Sequence, residues 1–210
     1  MGESNDRSRS DKRALRKRLL AARRTRSPEE RARTGAAIRA VLLRLPAPPL
    51  GGTIACYYSV GGEPDTRGLV DDLWRGGSRV LLPIFRPDGP MDWADYEGPE
   101  SLVPAGHGLL EPGGPRRGTE ALGLADLVIC PALAVDRRGM RLGRGAGWYD
   151  RALEYKRPDA PALALVHDEG LVESVPTEPH DRPMDAVVSP GTGLLRFTPL
   201  LPPPATVTGD

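Results

Sequence analysis

The sequence predicts an α/β domain in which a mostly parallel central sheet is flanked by helices and preceded by an N-terminal helical segment. Three observations lead there. The first is a strand–helix–strand unit. Thr53-Ile-Ala-Cys-Tyr-Tyr58 is rich in β-branched and aromatic residues, residues 67–75 read as a helix stopped by Gly76-Gly77, and Arg79-Val-Leu-Leu-Pro83 is a second strand. A short helical crossover of this kind returns the chain parallel to itself. The second is a set of continuous apolar runs, Asp126-Leu-Val-Ile-Cys130, Ala162-Leu-Ala-Leu-Val166 and Asp185-Ala-Val-Val-Ser189. Strands covered on both faces look like this, and Asp126 to Cys130, the most apolar, is expected at the centre. The third is length: 210 residues make one full domain and are short for two.

Composition narrows the function classes. Only 5% of residues are aromatic against 39% hydrophobic, so the core must be built from Leu, Val and Ala. Gly and Pro number 25 and 23 without period, which excludes a collagen-like chain and implies many short connections. The net charge of +1 hides a split. Residues 1–44 hold 14 basic and 5 acidic residues, net +9; the remainder holds 29 − 14 = 15 basic and 28 − 5 = 23 acidic, net −8. A basic head on an acidic body points to an anionic ligand or to contact between the two. Cys56 and Cys130 each sit in an apolar run and read as buried thiols, not as a disulfide or metal pair. No apolar leader and no stretch long enough to span a bilayer is present, so a cytoplasmic protein is expected, free of membrane and a monomer.

In chain order, residues 1–10 are polar and expected to be disordered. A helix capped by Asp11 follows, with Leu15, Leu19 and Ala22 on one side and Lys12, Arg16 and Arg23 on an adjoining stripe. That stripe is either a solvated basic face or a set of cations converging on one anion. Ser27-Pro-Glu-Glu30 is a capping box opening a second helix to about Arg44, ended by a linker over residues 46–52. Asp65 and Thr66 can cap the helix at 67–75. Residues 87–99 suggest a hairpin carrying Trp93 and Tyr96. Glu111, fixed in extended chain by Pro112, is either an ordinary loop acid or a directed carboxylate. A helix is expected from Trp148 to about Lys156 and a short one over residues 170–174, and the Pro-rich tail at 199–210 reads as loose. His107, His167 and His180 lack metal-ligand spacing and read as structural or surface residues. No Gly-x-Ser-x-Gly elbow and no Walker loop occurs.

The stretch from Asp136 to Arg151, DRRGMRLGRGAGWYDR, is the chemical centre. Alternating Gly143, Gly145 and Gly147 let backbone N–H groups form a concave anion site. Arg141 and Arg144 add guanidinium charge suited to phosphate. Asp150, one turn into the following helix, is placed to hold a divalent metal bridged by phosphate. The sum is a site for a metal-bound polyphosphate. The alternative reading is a glycine-rich surface hairpin, for which Asp136-Arg-Arg-Gly139 is a good turn.

This stretch, with Lys12-Arg-Ala-Leu-Arg16, Glu63-Pro-Asp-Thr66 and Gly108-Leu-Leu-Glu-Pro112 in the same order, resembles the 5-formyltetrahydrofolate cyclo-ligase family over roughly residues 11–190. The resemblance implies a fold of the ribose-5-phosphate isomerase and CoA transferase type, and ATP-dependent closure of 5-formyltetrahydrofolate to 5,10-methenyltetrahydrofolate with Mg²⁺. It implies ATP contacts at Lys12, Arg13, Ala14, Leu15 and Arg16, and at Arg141, Leu142, Gly143, Arg144, Gly145, Ala146, Gly147, Trp148 and Tyr149. It implies folate contacts at Val60, Asp65 and positions 144–148, metal contacts at Asp150 and Asp185, and charge stabilisation by Arg144. Ala146 and Trp148 depart from the family's usual Lys or Gly and Tyr. Two other readings remain: a folate or nucleotide binder without turnover, and a nucleic-acid-associated protein using the basic head. The absence of aromatics within that head speaks against nucleic acid.

Overall fold

The computed structural model describes residues 2–45, 52–86, 89–178 and 181–197. In chain order the elements are α1 (Gly2–Arg24), α2 (Pro28–Leu42), β1 (Thr53–Ala55), α3 (Arg67–Arg75), β2 (Arg79–Ile84), β3 (Asp92–Asp95), β4 (Leu102–Pro104), β5 (Leu110–Pro112), β6 (Leu127–Pro131), β7 (Ala134–Asp136), β8 (Arg141–Leu142), α4 (Trp148–Ala152), β9 (Ala162–Leu165), β10 (Leu171–Val172), β11 (Ala186–Ser189) and β12 (Gly193–Arg196).

Seven strands make the central sheet in the order β12-β11-β9-β6-β1-β2-β3. The inner five are mutually parallel, and β3 and β12 close the edges antiparallel. Strand β6 is central, as its apolar run predicts, and Val128, Ile129 and Cys130 are essentially inaccessible. From β1 the chain first builds outward to β2. It then crosses to the other side of β1 and builds outward through β6, β9 and β11. The direction reverses between β1 and β6, and the loops leaving those two carboxyl ends diverge to leave a crevice.

Local chemistry sets the helices. Ser27 Oγ accepts from Glu30 N at 3.2 Å while Ser27 N donates to Glu30 Oε2 at 2.7 Å, so the expected capping box opens α2. Ile38 and Leu42 of α2 bury against the sheet. At α3, Asp65 Oδ1 accepts from Arg67 N at 3.0 Å, but Thr66 does not cap; its hydroxyl donates to Tyr57 O at 2.6 Å and tightens the loop after β1.

Helix α1 begins at Gly2, not at Asp11, and runs through the segment expected to be disordered. The contacts that composition could not supply are Ser8 Oγ to Thr177 O at 3.2 Å and Arg9 Nε to Glu178 Oε1 at 3.1 Å. Leu19 of α1 packs in a separate small core with Leu133, Leu142 and Val175. Residues 170–174 are not a helix: a single 3₁₀ turn, Asp168–Gly170, leads into β10, which pairs parallel with β7. The expected hairpin of residues 87–99 is a single strand, β3, folded back on β2. The helix from Trp148 is α4 continued by a 3₁₀ turn, Leu153–Tyr155. Linker residues 46–51, His180 and the tail lie outside the described residues, as does the His107 side chain. No described helix is long and apolar enough to cross a membrane.

Candidate active site

The crevice between the ends of β1 and β6 opens into a cavity of about 920 Å³, roofed by α1 on one side and by the loop between β8 and α4 on the other. The chain after β1 contributes Val60 and Glu63, and the chain after β6 contributes Ala132 and Leu133. One end is apolar, formed by Phe85, Leu109 and Trp148; the Phe85 and Trp148 rings meet at 4.6 Å, tilted by 58°. The other end is charged. Five cationic side chains, Lys12, Arg16, Arg23, Arg141 and Arg144, line it with Glu63, Asp150, Glu178 and Asp181, and a fifth carboxylate of the cavity, Glu111, lies beside Phe85 toward the apolar end. The numbers balance, so the cavity is not a simple anion trap. An anion must bring its own cation or take over existing partners.

The α1 stripe faces the cavity and is not simply solvated. Lys12 is 4% exposed and its Nζ donates to Glu178 Oε2 at 2.9 Å and Asp181 Oδ2 at 2.7 Å. The Lys12 and Arg9 charges hold the Glu178 carboxyl down at about 2. One turn on, Arg16 Nε donates to Gly143 O at 3.0 Å. Farther along, the buried Arg23 guanidinium donates to Ala132 O, and burial lowers its pKa. The helix is therefore fastened to the loops after β6 and β8 through the same cations that face the cavity. Arg13 and Ala14 face solvent and Leu15 packs in the small core, so of residues 12–16 only Lys12 and Arg16 reach the site.

The turn Asp136-Arg-Arg-Gly139 and the glycine loop are both real, because β7 and β8 form an antiparallel pair that delivers Gly143 to the cavity. Asp136 builds that turn, accepting from Arg138 N at 2.8 Å and Met140 N at 3.0 Å. Gly145 and Gly147 have φ of 113° and 67°, so side chains there would be strained. The Arg144 side chain is 53% exposed and reaches Glu63 at 3.3 Å. Burial raises the Glu63 carboxyl above its ordinary value, against Val60 N and the two nearby guanidinium groups. Arg141 is buried, bonds Asp150 Oδ1 at 2.8 Å and lies 5.7 Å from the Tyr149 ring centre. Buried Tyr149 is held well above the usual phenol range by desolvation.

Two further expected site residues, Asp65 and Asp185, are not brought there. Asp65 accepts from Ser59 Oγ at 2.8 Å and from Arg67 N, and packs against Gly35 of α2; it shapes the loop that carries Val60 and Glu63. Asp185 precedes β11 and accepts from Ala162 N at 2.7 Å, at the amino end of β9. Strands β6 and β9 are parallel, with Val128 beside Ala162 and Pro131 beside Leu165. Asp185 is thus about 10 Å of strand away from the cavity end, at about 3.3 Å per residue, and shares no ion with Asp150. Among the described residues no three His, Cys, Asp or Glu side chains converge on a metal. A phosphate-bound Mg²⁺ needs only one or two carboxylates, and Asp150 on the cavity wall fits that requirement alone.

Glu178, Asp181, Phe85 and Arg23's partner Ala132 were not legible as site residues. Glu178 meets Lys12 across 166 positions, and nothing local marks it. Glu111, left open between loop acid and directed carboxylate, lines the cavity and accepts from Phe85 N at 3.0 Å. His167 is buried and structural, its Nε2 bonded to Gly62 O at 3.0 Å.

Fold and site together define an α/β enzyme with a polyphosphate-suited loop beside an aromatic-walled apolar end of the cavity at the sheet's switch point. Comparison with known sequences makes this specific: residues 8–190 match the 5-formyltetrahydrofolate cyclo-ligase family, and the chain belongs to it. It is 45% identical over 150 residues to the 5-formyltetrahydrofolate cyclo-ligase of Mycolicibacterium smegmatis, covering 69% of this chain and 77% of that one. To that of Escherichia coli K12 it is 34% identical over 171 residues, covering 80% and 94%. The structure of Aquifex aeolicus 5,10-methenyltetrahydrofolate synthetase superposes with a TM-score of 0.75 at 26% identity, over 89% of this chain and 92% of that one.

Proposed function

We propose that this chain converts 5-formyltetrahydrofolate and MgATP to 5,10-methenyltetrahydrofolate, ADP and phosphate inside the switch-point cavity. The observation that carries the reading is the joining, in one space, of an aromatic slot and a cationic glycine loop. At about 920 Å³ the cavity is at the upper end of the range for ligand sites, which suits two substrates held together.

The formyl group on N5 is an amide whose oxygen leaves poorly. Transfer of the γ-phosphoryl group to that oxygen creates a phosphate leaving group. N10 of the same folate attacks the activated carbon, loses its proton, and phosphate departs. Ring closure is intramolecular, so a correctly held folate supplies most of the orientation. The protein's part is charge placement. Arg144, half-exposed on the loop beside Glu63, is assigned to the transferring phosphoryl group. Amides of residues 143–147 cradle phosphate oxygens, and Lys12 and Arg16 bind the nucleotide phosphates from α1. Asp150 would hold the Mg²⁺ that enters with ATP, which would offset the charge of the phosphates. Arg151 of α4 lies beside this loop, its Nη1 donating to Ala146 O at 3.2 Å.

The test is absorbance. Purified protein mixed with 5-formyltetrahydrofolate should give the near-ultraviolet band of the methenyl product only when MgATP is added. Folate binding without that band would assign the chain to a binder instead.

A further inference from the structure

The apolar end of the cavity holds one carboxylate whose position no phosphate or metal role explains. Glu111 lies in β5, next to Pro112, on the short β4–β5 hairpin. Its Oε1 accepts from the backbone N of Phe85, the residue whose ring meets Trp148 at 4.6 Å. The carboxylate is therefore anchored at the rim of the aromatic wall. Its Oε2 accepts no hydrogen bond from the described residues, and the side chain borders the cavity. Glu63 offers no equivalent: one oxygen takes Val60 N at 3.0 Å and the other faces Arg144. Asp150, Glu178 and Asp181 are at the charged end, engaged with Arg141 and Lys12.

Because Glu111 is bonded to the backbone of Phe85, a planar ring stacked against this aromatic wall would have a carboxylate at its edge. An ionised carboxylate only accepts, so it selects a ring edge carrying adjacent N–H donors. The 2-amino-4-oxopyrimidine edge of a pterin has two, N3–H and the 2-amino group. We infer that Glu111 is the specificity-determining residue for this donor edge, pairing with it through Oε2 and the remaining lone pair of Oε1. The inference rests on the folate reading of the cavity and adds the residue that orients the ring within it, so that the formyl end points toward the glycine loop.

The variant Glu111→Gln keeps an oxygen for Phe85 N and turns an amide N–H₂ toward the ligand. It should fold as the parent does, checked by its melting temperature. The probes are 2-amino-4-oxopteridine and 2,4-dioxopteridine, which differ by a donor or an acceptor at position 2. Binding is read by quenching of tryptophan fluorescence. The parent should favour the 2-amino compound, and Glu111→Gln should lose or reverse that preference. KM for 5-formyltetrahydrofolate should rise about 10- to 100-fold, as expected for a lost charged hydrogen bond, with KM for ATP unchanged. A variant that keeps the parent's preference would overturn the assignment even if the parent turns over. A parent that shows the preference without making methenyl product would support it while removing the ligase reading.

Discussion

Arg144 carries its charge on a loop that does not bury it: its side chain is 53% exposed and its partner in the structure is Glu63. A guanidinium held this way can leave one anion for another without disturbing the core. Arg144→Ala should therefore leave the melting temperature near that of the parent. The kcat should fall by about 10²–10³-fold, the usual loss when one donor to a developing charge is removed. Unchanged turnover would remove Arg144 from the chemistry. His167 illustrates the opposite case, a residue tied to folding. Burial, with Arg23 and Arg26 nearby, lowers its pKa below the ordinary 6.5 despite the bond to Gly62 O and the charge of Glu169. The unfolded chain then binds a proton before the folded one does. Stability is full above about 6.5 and declines as the pH falls below it. Urea midpoints measured from neutral to mildly acidic pH should show this decline, and His167→Gln should flatten it.

At the scale of elements, α1 is the piece whose attachment the site depends on. It is fastened by Lys12 to Glu178 and Asp181, by Arg16 to Gly143, and by Arg23 to Ala132. The depressed carboxyl of Glu178 stabilises the fastened helix above its unfolded value near 4.5. That contribution is lost as pH falls toward about 2. Protection of the α1 amides, their exchange rate relative to the unfolded chain at the same pH, should fall across that acid range, and Glu178→Gln should show weakened protection already at neutral pH. Undiminished protection in the variant would mean that the Lys12 cluster does not hold the helix. Helix α2 is secured differently, by its own cap. Ser27→Ala removes the acceptor for Glu30 N and should cost about 1 kcal/mol. In a chain of this size that lowers Tm by about 2–4 °C, a shift calorimetry resolves.

For the whole molecule, the decisive feature is the reversal of strand order between β1 and β6, which places the loops of two otherwise separate segments around one crevice. Much of this was legible. Continuous apolar runs announced β6, β9 and β11, and the unit around α3 announced the parallel pairing of β1 and β2. Strands β4, β5, β10 and β12 left no signal, being two to four residues long and partly exposed, so pairing rather than composition makes them strands. In the site, the stripe Lys12, Arg16, Arg23 and the loop from Arg141 to Asp150 were readable because helix period and glycine alternation are local patterns. Glu178 and Asp181 were not, since a carboxylate acquires its role here from a lysine 166 and 169 positions away. Asp185 was misplaced for a related reason: its motif fixes its position in the chain but not which end of a strand it occupies.

The central claim is that the one cavity brings the γ-phosphoryl group of ATP onto the formyl oxygen of the folate. The most direct measurement uses 5-formyltetrahydrofolate carrying heavy oxygen in its formyl group, with the released phosphate analysed by mass spectrometry after turnover. Direct transfer places the label in phosphate, one atom for each methenyl product formed. Label appearing in water, with unlabelled phosphate, would contradict it and would mean that ATP is hydrolysed beside the folate rather than transferred to it.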